Sequence, residues 1–327
     1  MSSPYNLQGA QSVAPQPLVS FVVPAYNVAR YIRRAVDSAL SQTYPAVEVI
    51  VVDDGSTDET WSVLRQHYAS DARVRLIQQA NAGPSAARNH GIREARGDYI
   101  HFLDADEFLH PTKVERSMAL FQRDPETAVV YGHGIPLEPD GVTEIAMALP
   151  PLPSGWVLCE WLTGTMSGGT YGVTSSFMVR RDALARTGGF REDQWVAEDW
   201  DLWLRLAAHY PFAALDEALV YYHRLPDGLH TNRLRMAEGR LQTVQQARDL
   251  PGREQCLDDA AYQRLLASRW HVVGERAWEA GQRGKARQAF LEANRLEAST
   301  ARRIFSLLSL MMPYSLLVVL LRLKAKR

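Results

Sequence analysis

Tyr99-Ile-His-Phe-Leu-Asp-Ala-Asp-Glu-Phe108 carries an apolar run, Tyr99 to Leu103, that stops abruptly on two aspartates spaced i, i+2. In an extended chain, residues two apart point to the same side. At the end of a strand, Asp104 and Asp106 can therefore aim both carboxylates at one point. A hard divalent cation, Mg²⁺ or Mn²⁺, takes oxygen ligands of this kind, and usually only one or two of them from protein. Phosphate oxygens of a bound nucleotide would supply others. Taken alone the spacing reads as readily as a turn or a helix cap, and Asp199-Trp-Asp201 repeats it. The surrounding sequence separates the two readings.

Upstream, Leu18-Val-Ser-Phe-Val-Val23 is a short apolar run closed by Pro24, which reads as a buried parallel strand. Ala25-Tyr26-Asn27 form the loop after it. Tyr31, Ile32, Ala35, Val36, Ala39 and Leu40 then repeat with helical periodicity, and Tyr44-Pro45 ends that helix. Val47 to Val52 is a second strand, followed by Asp53-Asp-Gly-Ser-Thr-Asp58, where Ser56 and Glu59 make a capping box for a new helix. Arg73 to Gln78 reads as a third strand. Asn81 to Ser85 reads as a loop, and Ala86 to Ala95 as a helix carrying Arg88 and Asn89. Gly97-Asp98 turns into the strand that ends on Asp104.

Strands alternating with helices at this spacing mean βαβ units and a mostly parallel sheet. In such sheets ligands bind beyond the carboxyl ends of the strands. Tyr26, Asp53, Asp54 and the Asp104/Asp106 pair all fall on that edge. Asp53 and Asp54 serve either as turn and cap residues or as acceptor-only carboxylates, able to receive the imide N–H of uracil. Arg88 is either a solvated helix residue or a fixed cation beside the same ligand.

Val19-Ser-Phe-Val-Val-Pro-Ala-Tyr-Asn27, Val51-Val-Asp-Asp-Gly-Ser-Thr-Asp58, Asn81-Ala-Gly-Pro-Ser-Ala-Ala-Arg-Asn89 and Phe102-Leu-Asp-Ala-Asp-Glu107 resemble the successive signatures of the family 2 glycosyltransferases. The resemblance runs over residues 18 to 108 in the family's order. It implies the GT-A fold, a Rossmann-like, mostly parallel α/β sheet flanked by helices, and transfer with inversion at the anomeric carbon. It implies that Pro24, Tyr26 and Asp54 line the nucleoside pocket, with Asp53 beside them and Asn27 in the same loop. It implies that Arg88 contacts the nucleotide. Asp106 would be the direct metal ligand, and Asp104 would face the sugar or ribose and metal-bound water.

Further on, His110 to Arg123 is amphipathic and Ala128 to Tyr131 reads as a strand. Residues 132–169 are rich in Pro and Gly, with a short helix near Trp156 to Leu162, and Ser167 to Gly172 reads as a turn over the site or a surface connection. Thr174 to Val179 reads as a strand and Arg180 to Thr187 as a short helix. Val196-Ala-Glu-Asp-Trp-Asp-Leu-Trp-Leu-Arg-Leu206 opens another helix with Glu198 and Asp199 in its first turn. Acidic residues there suit the helix dipole. They also suit a general base, because a sugar hydroxyl is a poor nucleophile and something must accept its proton. The Glu-Asp pair is similar to the family's acceptor-side motif, which makes Asp199 the expected base and Glu198 an acceptor or supporting contact. Many members carry a metal-ligating His before a Pro-Gly turn. Here Leu225 precedes Pro226, so His223 and His230 are the nearest candidates and His223 the expected third ligand.

Beyond Met236 strands disappear. Residues 260–296 read as two or three helices, and Trp270, Val273, Ala277, Trp278, Ala286, Ala289, Phe290 and Ala293 look like one tetratricopeptide-type unit. One such unit cannot bury its own face, so it is expected to pack on the catalytic domain or a partner. Ile304 to Leu321 is nearly all apolar with basic residues on both sides and Pro313 within it. That favours a tail lying on an anionic membrane surface, with a homodimer-forming or buried helix and a true span as alternatives.

The expected organisation is a lead-in at 1–17, a catalytic domain at 18–235 with a nucleotide-binding half to 108, a helical extension at 236–300 and the membrane-associating tail at 301–327. Residues 1–17 lack the apolar core of a signal peptide and read as disordered. A formal net charge of −1 argues against a nucleic-acid partner. Cys159 and Cys256, far apart and in no metal spacing, read as free thiols in a reducing cytosol. The expected partners are a nucleotide-sugar donor, best a UDP-sugar, and a saccharide or lipid-linked acceptor, handled at the cytoplasmic face of the membrane. A dehydrogenase would need G-x-G-x-x-G, and a sugar nucleotidyltransferase a Gly-rich basic loop, where Pro24-Ala-Tyr-Asn27 stands. A non-catalytic scaffold would be expected to have lost Asp54, Asp106 and Asp199, and all three are present.

Overall fold

The computed structural model describes residues 16–163, 173–223 and 231–297. The expected lead-in up to residue 15, the Ser167–Gly172 turn, His230 and the apolar tail lie outside these residues.

The first half alternates strand and helix: β1 (Val19–Ala25), α1 (Ile32–Leu40), β2 (Val47–Asp53), α2 (Thr60–Tyr68), β3 (Val74–Gln78), α3 (Pro84–Glu94) and β4 (Tyr99–Phe102). β1 and β2 are apolar on both faces because helices cover both, and they are buried almost throughout. β5 (Phe108–Leu109), α4 (Lys113–Arg123), β6 (Val129–Leu137), α5 (Leu158–Thr163), β7 (Met178–Arg180), α6 (Arg181–Thr187), α7 (Glu198–Ala207) and β8 (Phe212–His223) follow. The eight strands form one mixed sheet in the order β3-β2-β1-β4-β7-β6-β8-β5. β1, β2, β3 and β4 run parallel, so the carboxyl ends of β2, β1 and β4 lie side by side, with Ala25 opposite Asp53 and Val22 opposite Phe102. β7 is antiparallel to β4 and joins the two halves. The result is the α/β sheet expected of the GT-A fold.

Glycine sets the distance between α3 and the sheet. A Cβ on Gly91 would lie 2.5 Å from Val22 Cγ1, so only glycine lets α3 ride this close to β1. A stack of aromatic rings fixes α7. Trp203 lies face to face with Phe177 at 3.8 Å, and Phe190 and Phe102 pack around them. These rings hold the start of α7 against the end of β4.

C-terminal to the sheet come α8 (Arg233–Gln246), α9 (Arg253–Cys256), α10 (Asp259–Glu279) and α11 (Arg283–Leu296). α10 and α11 bury Ala277, Ala286, Ala289 and Phe290 between them. α8 docks this pair on the sheet domain, with Gly239 so close to Val196 that a Cβ would meet its carbonyl at 2.4 Å. Trp270 packs against this core, so the aromatic stripe is structural.

Four local expectations differ from what is seen. The Ser56/Glu59 capping box does not form: Ser56 Oγ accepts from Asn27 N, and Asp58 Oδ1 accepts from Thr60 N at the helix start. Thr174–Ser176 is a 3₁₀ turn rather than strand, and β7 begins at Met178. β6 runs on to Leu137, into the stretch read as loop, and β8 had no strand expectation over most of its length. Cys159 and Cys256, expected as free thiols, are joined in a disulfide across a separation of 97 residues. Spacing along the chain could not reveal that α5 and α9 meet.

Candidate active site

The carboxyl edge of β4 gathers most of the expected residues. Leu103 N donates to Val22 O, carrying the chain past the end of the strand, and Glu107 N donates to Asp104 O in a tight turn. This turn presents Asp104, Asp106 and Glu107 in succession. Asp104 N donates to Ser175 Oγ at 2.8 Å, so the 3₁₀ turn before β7 positions the aspartate backbone.

Arg88, on α3, is buried and bridges two carboxylates. Its Nη2 lies 2.7 Å from Asp104 Oδ1 and its Nη1 lies 2.8 Å from Glu198 Oε1. Burial alone would lower the pKa of Arg88, but the facing Asp104 and Glu198 outweigh it and raise it. Arg88 is thus a permanent cation that ties the end of β4 to the start of α7. The ring of Phe190 lies 5.2 Å from its guanidinium carbon.

Asp199 follows Glu198 on α7. Its Oδ1 accepts from Trp200 N at 2.7 Å, and its Oδ2 lies 3.4 Å from Thr174 Oγ1. Burial, with the neighbouring Glu198, pushes its carboxyl up to about 7. A carboxylate poised near neutral pH can take a proton from a hydroxyl far better than an ordinary aspartate. The turn into α7 is strained and braced. Ala197 adopts φ +58°, and Gln194 Nε2 donates to Val196 O, Ala197 O and Thr243 Oγ1.

Asp106 follows two residues after Asp104 in the turn beyond β4. Its carbonyl accepts from Nδ1 of His223, at the end of β8, so Nδ1 carries the proton and Nε2 is the ring's free acceptor. Burial and the adjacent Asp104 raise the pKa of Asp106. It forms no ion pair among the described residues, whereas Asp104 has Arg88. Glu107 is buried with Oε2 unpartnered, and burial raises its pKa well above the usual range. Of the three carboxyl groups here Asp104 is paired with Arg88, while Asp106 and Glu107 line a cavity with Arg30 and Arg34; a divalent cation here would draw on Asp106, with Asp104 and His223 Nε2 as the further candidates. Among the described residues no three His, Cys, Asp or Glu converge into a complete protein cage.

The nucleoside-side residues occupy the neighbouring strand ends. Asp53 accepts from Ser56 N and Gln78 Nε2. Asp54 accepts from Gln79 Nε2, Ala82 N and Gly83 N at 2.8–2.9 Å, pinning the loop that leads into α3. Asn27, at φ +53°, uses its Oδ1 to receive Thr57 N and Asp58 N, so its amide ties the first loop to the second. Tyr26 is 49% exposed on that first loop, and Pro24 is partly exposed behind it. Asp54 thus holds the loop that opens α3, and Arg88 on α3 pairs with Asp104 after β4 and with Glu198 at the start of α7. Thr174, Ser175, Gln194 and Glu107 are the site residues that no sequence signal singled out.

The comparisons with known proteins bear on the family and the fold. A family model described as glycosyl transferase family 2 matches residues 20–184. A chondroitin synthase from Escherichia coli is 38% identical over 217 residues, which is 66% of this chain and 30% of that protein. A hyaluronan synthase from Pasteurella multocida is 36% identical over 220 residues, 66% of this chain and 21% of that protein. The chain thus spans less than a third of the length of these two relatives. Among solved structures, S. aureus TarS residues 1–349 with UDP-GlcNAc superposes with a TM-score of 0.65 at 17% identity, covering 89% of this chain and 87% of that one. The mannosyltransferase PcManGT from Pyrobaculum calidifontis, with GDP-Man and Mn²⁺, gives 0.56 at 19% identity, over 90% of this chain and 85% of that one.

Proposed function

The chain belongs to glycosyl transferase family 2, and from that premise we propose that its cleft transfers a sugar from a UDP-sugar, with inversion, to a hydroxyl of a saccharide or lipid-linked acceptor. The observation that carries this reading is the Arg88 bridge. Its buried guanidinium pairs with Asp104 and with Glu198, 16 and 110 residues away along the chain, which supports a donor side and an acceptor side meeting at this point.

In this reading the nucleoside lies over Tyr26 and Pro24, against the loops that Asp53 and Asp54 hold. Asp106, with Asp104 and His223 as neighbours, would hold Mg²⁺ or Mn²⁺ near the donor diphosphate. A bound cation there would offset the negative charge that develops on the leaving diphosphate. Asp199 accepts the proton of the acceptor hydroxyl as its oxygen attacks C1 of the donor sugar. The new C1–O bond forms as the bond from C1 to the diphosphate oxygen breaks. Glu198, oriented by Arg88, lines the acceptor side and raises the basicity of Asp199. Arg88 keeps Asp104 directed at the donor sugar and Glu198 at the acceptor.

Chondroitin and hyaluronan synthases among the relatives, and UDP-GlcNAc in a structural neighbour, support a UDP-linked hexose or hexosamine donor and a polysaccharide product. Screening nucleotide sugars by thermal shift with Mn²⁺, then assaying donor hydrolysis and transfer with the best, tests the reading. If no nucleotide sugar stabilises the protein and none is hydrolysed, it is wrong. No helix among the described residues is long and apolar enough to cross a membrane. The basic and apolar segment 301–327 suits the cytoplasmic face of an anionic membrane, or a homodimer contact. Co-sedimentation with anionic vesicles, lost when 301–327 is removed, tests the first. The Cys159–Cys256 bond would there need shielding from cytosolic reductant.

A further inference from the structure

Next to Asp106 the structure holds a cavity of about 170 Å³, lined by Arg30, Tyr31, Arg34, Asp106, Glu107 and His223 and closed by the turn at residues 139–141. Two arginines enter it from the first turn of α1 and the residues before it. Neither makes an ion pair within 4 Å among the described residues, although Asp106 lines the same cavity. Arg30, Arg34 and Asp106 thus line one cavity with no ion pair within 4 Å among them.

Arg34 is held in place by uncharged contacts. Its guanidinium carbon lies 3.4 Å from the centre of the Phe108 ring, which itself stacks on Tyr221, and Nη1 donates to Gly141 O at 2.6 Å. Stacking and one carbonyl fix the plane of the fork, and among the described residues no carboxylate neutralises its charge. Gly141 is required for this arrangement: at φ +70°, a Cβ there would lie 2.8 Å from His223 Nε2. The third acidic wall residue, Asp140, turns its carboxylate into its own loop, accepting from Val142 N, Thr143 N and Thr143 Oγ1. At the base, the buried Glu107 Oε2 has no partner.

We propose that Arg30 and Arg34 bind the diphosphate of the donor, and of the product nucleotide, on the side opposite Asp106. The inference rests on the nucleotide-sugar reading and adds to it a second, protein-borne source of positive charge. A cation on Asp106 and a guanidinium fork on Arg34 are complementary partners for one diphosphate: the first takes oxygens as a point charge, the second takes them in a planar pair. A metal-free enzyme would then still discriminate a nucleotide from its nucleoside.

The test is calorimetric titration of the full chain in EDTA with UDP and with uridine, and likewise with GDP and guanosine. The wild type is expected to bind the diphosphate at least tenfold more tightly than the nucleoside. In Arg30→Gln/Arg34→Gln that ratio should fall about tenfold or more while nucleoside affinity stays unchanged, and Arg34→Lys should restore part of it. An unchanged ratio in the double variant overturns the proposal, as does a wild type that binds diphosphate and nucleoside equally. If the wild type binds no nucleotide or nucleoside at all, the donor reading itself fails and inorganic pyrophosphate decides alone. Pyrophosphate binding that is lost in the double variant supports the arginine pocket, and absence of pyrophosphate binding by the wild type removes it.

Discussion

Arg88 and Glu198, 110 residues apart, are joined by a buried ion pair of 2.8 Å, and the same guanidinium holds Asp104 at 2.7 Å. Truncating one partner of a buried ion network leaves charges uncompensated and costs about 3–5 kcal/mol. Arg88→Met should therefore lower stability by an amount in that range and abolish transfer. Arg88→Lys keeps the charge but cannot fork between two carboxylates, so it should fold more stably than Arg88→Met and remain at least tenfold impaired. Chemical denaturation and initial-rate assays check both; equal stability of the two variants would show that the fork carries no weight.

Asp199 should impose an acid limb on activity. Burial and Glu198 raise its pKa to about 7, and only the carboxylate can accept a proton. Transfer should fall about tenfold per pH unit below that value and level off above it. The stability sign is the reverse. A carboxyl whose folded pKa exceeds its unfolded one destabilises the fold as it ionises, beginning above the ordinary 3.8 and in full above about 7. Asp199→Asn should thus lose about 10²–10⁴ in kcat, keep nucleotide binding, and melt higher than the wild type at pH 8 but not at pH 4. A variant with wild-type turnover, or a flat pH profile, would remove Asp199 as the base.

Asp54 is expected to act through the loop it holds. Its carboxylate receives Ala82 N and Gly83 N, the last backbone donors before α3. Asp54→Ala leaves both N–H groups without that acceptor, at about 1–3 kcal/mol for each that stays buried. Nucleoside affinity and the protection of the Ala82 and Gly83 amides from hydrogen exchange should fall together. Weakened nucleoside binding with unchanged protection would assign Asp54 a direct contact instead.

Lys113 is a buried lysine whose Nζ donates to Ser117 Oγ at 3.1 Å and forms no ion pair among the described residues. Burial lowers its pKa from 10.5 to about 7. The penalty for charging it inside the fold grows as pH falls from about 10.5 and is complete below about 7. Lys113→Met, which fills the same space, should raise Tm by several degrees at pH 6. The gain should shrink toward pH 10. A gain independent of pH would mean that packing rather than charge is responsible.

The first half of the chain was legible because its information is local. β1, β2 and β4 each end on a polar cluster, and a parallel βαβ order brings those ends to one edge whatever the details of packing. The second half was less so. Thr174-Ser-Ser-Phe-Met-Val179 has the composition of a strand, yet the loop must fold back as a 3₁₀ turn to bring Ser175 under Asp104. β8 alternates weakly, with Asp216 and Glu217 in its middle, because it lies near the sheet edge and bulges against β6. Arg34 looks like any solvated helix arginine, since its stacking on Phe108 and its bond to Gly141 O join parts of the chain that no pattern relates.

The disulfide is the clearest case of a constraint that only three dimensions reveal, and it carries its own prediction. Cys159 on α5 and Cys256 on α9 close a loop of 97 residues that contains α7 and with it Glu198 and Asp199. In the chain-entropy account a bridge across about 100 residues stabilises by roughly 4–5 kcal/mol. For a domain of about 150–250 residues that corresponds to a Tm shift of roughly 8–20 °C. Cys256→Ser, or reduction, should lower Tm by about that amount. The active site should feel it only indirectly. Trp200, next to the base, donates its indole N–H to Trp161 O on α5 at 3.1 Å, so α5 braces the first turn of α7 from behind. Transfer at 25 °C should persist in the reduced protein, and its loss on warming should track the lowered Tm. An unchanged Tm on complete reduction would mean that α5 and α9 are held together by packing alone.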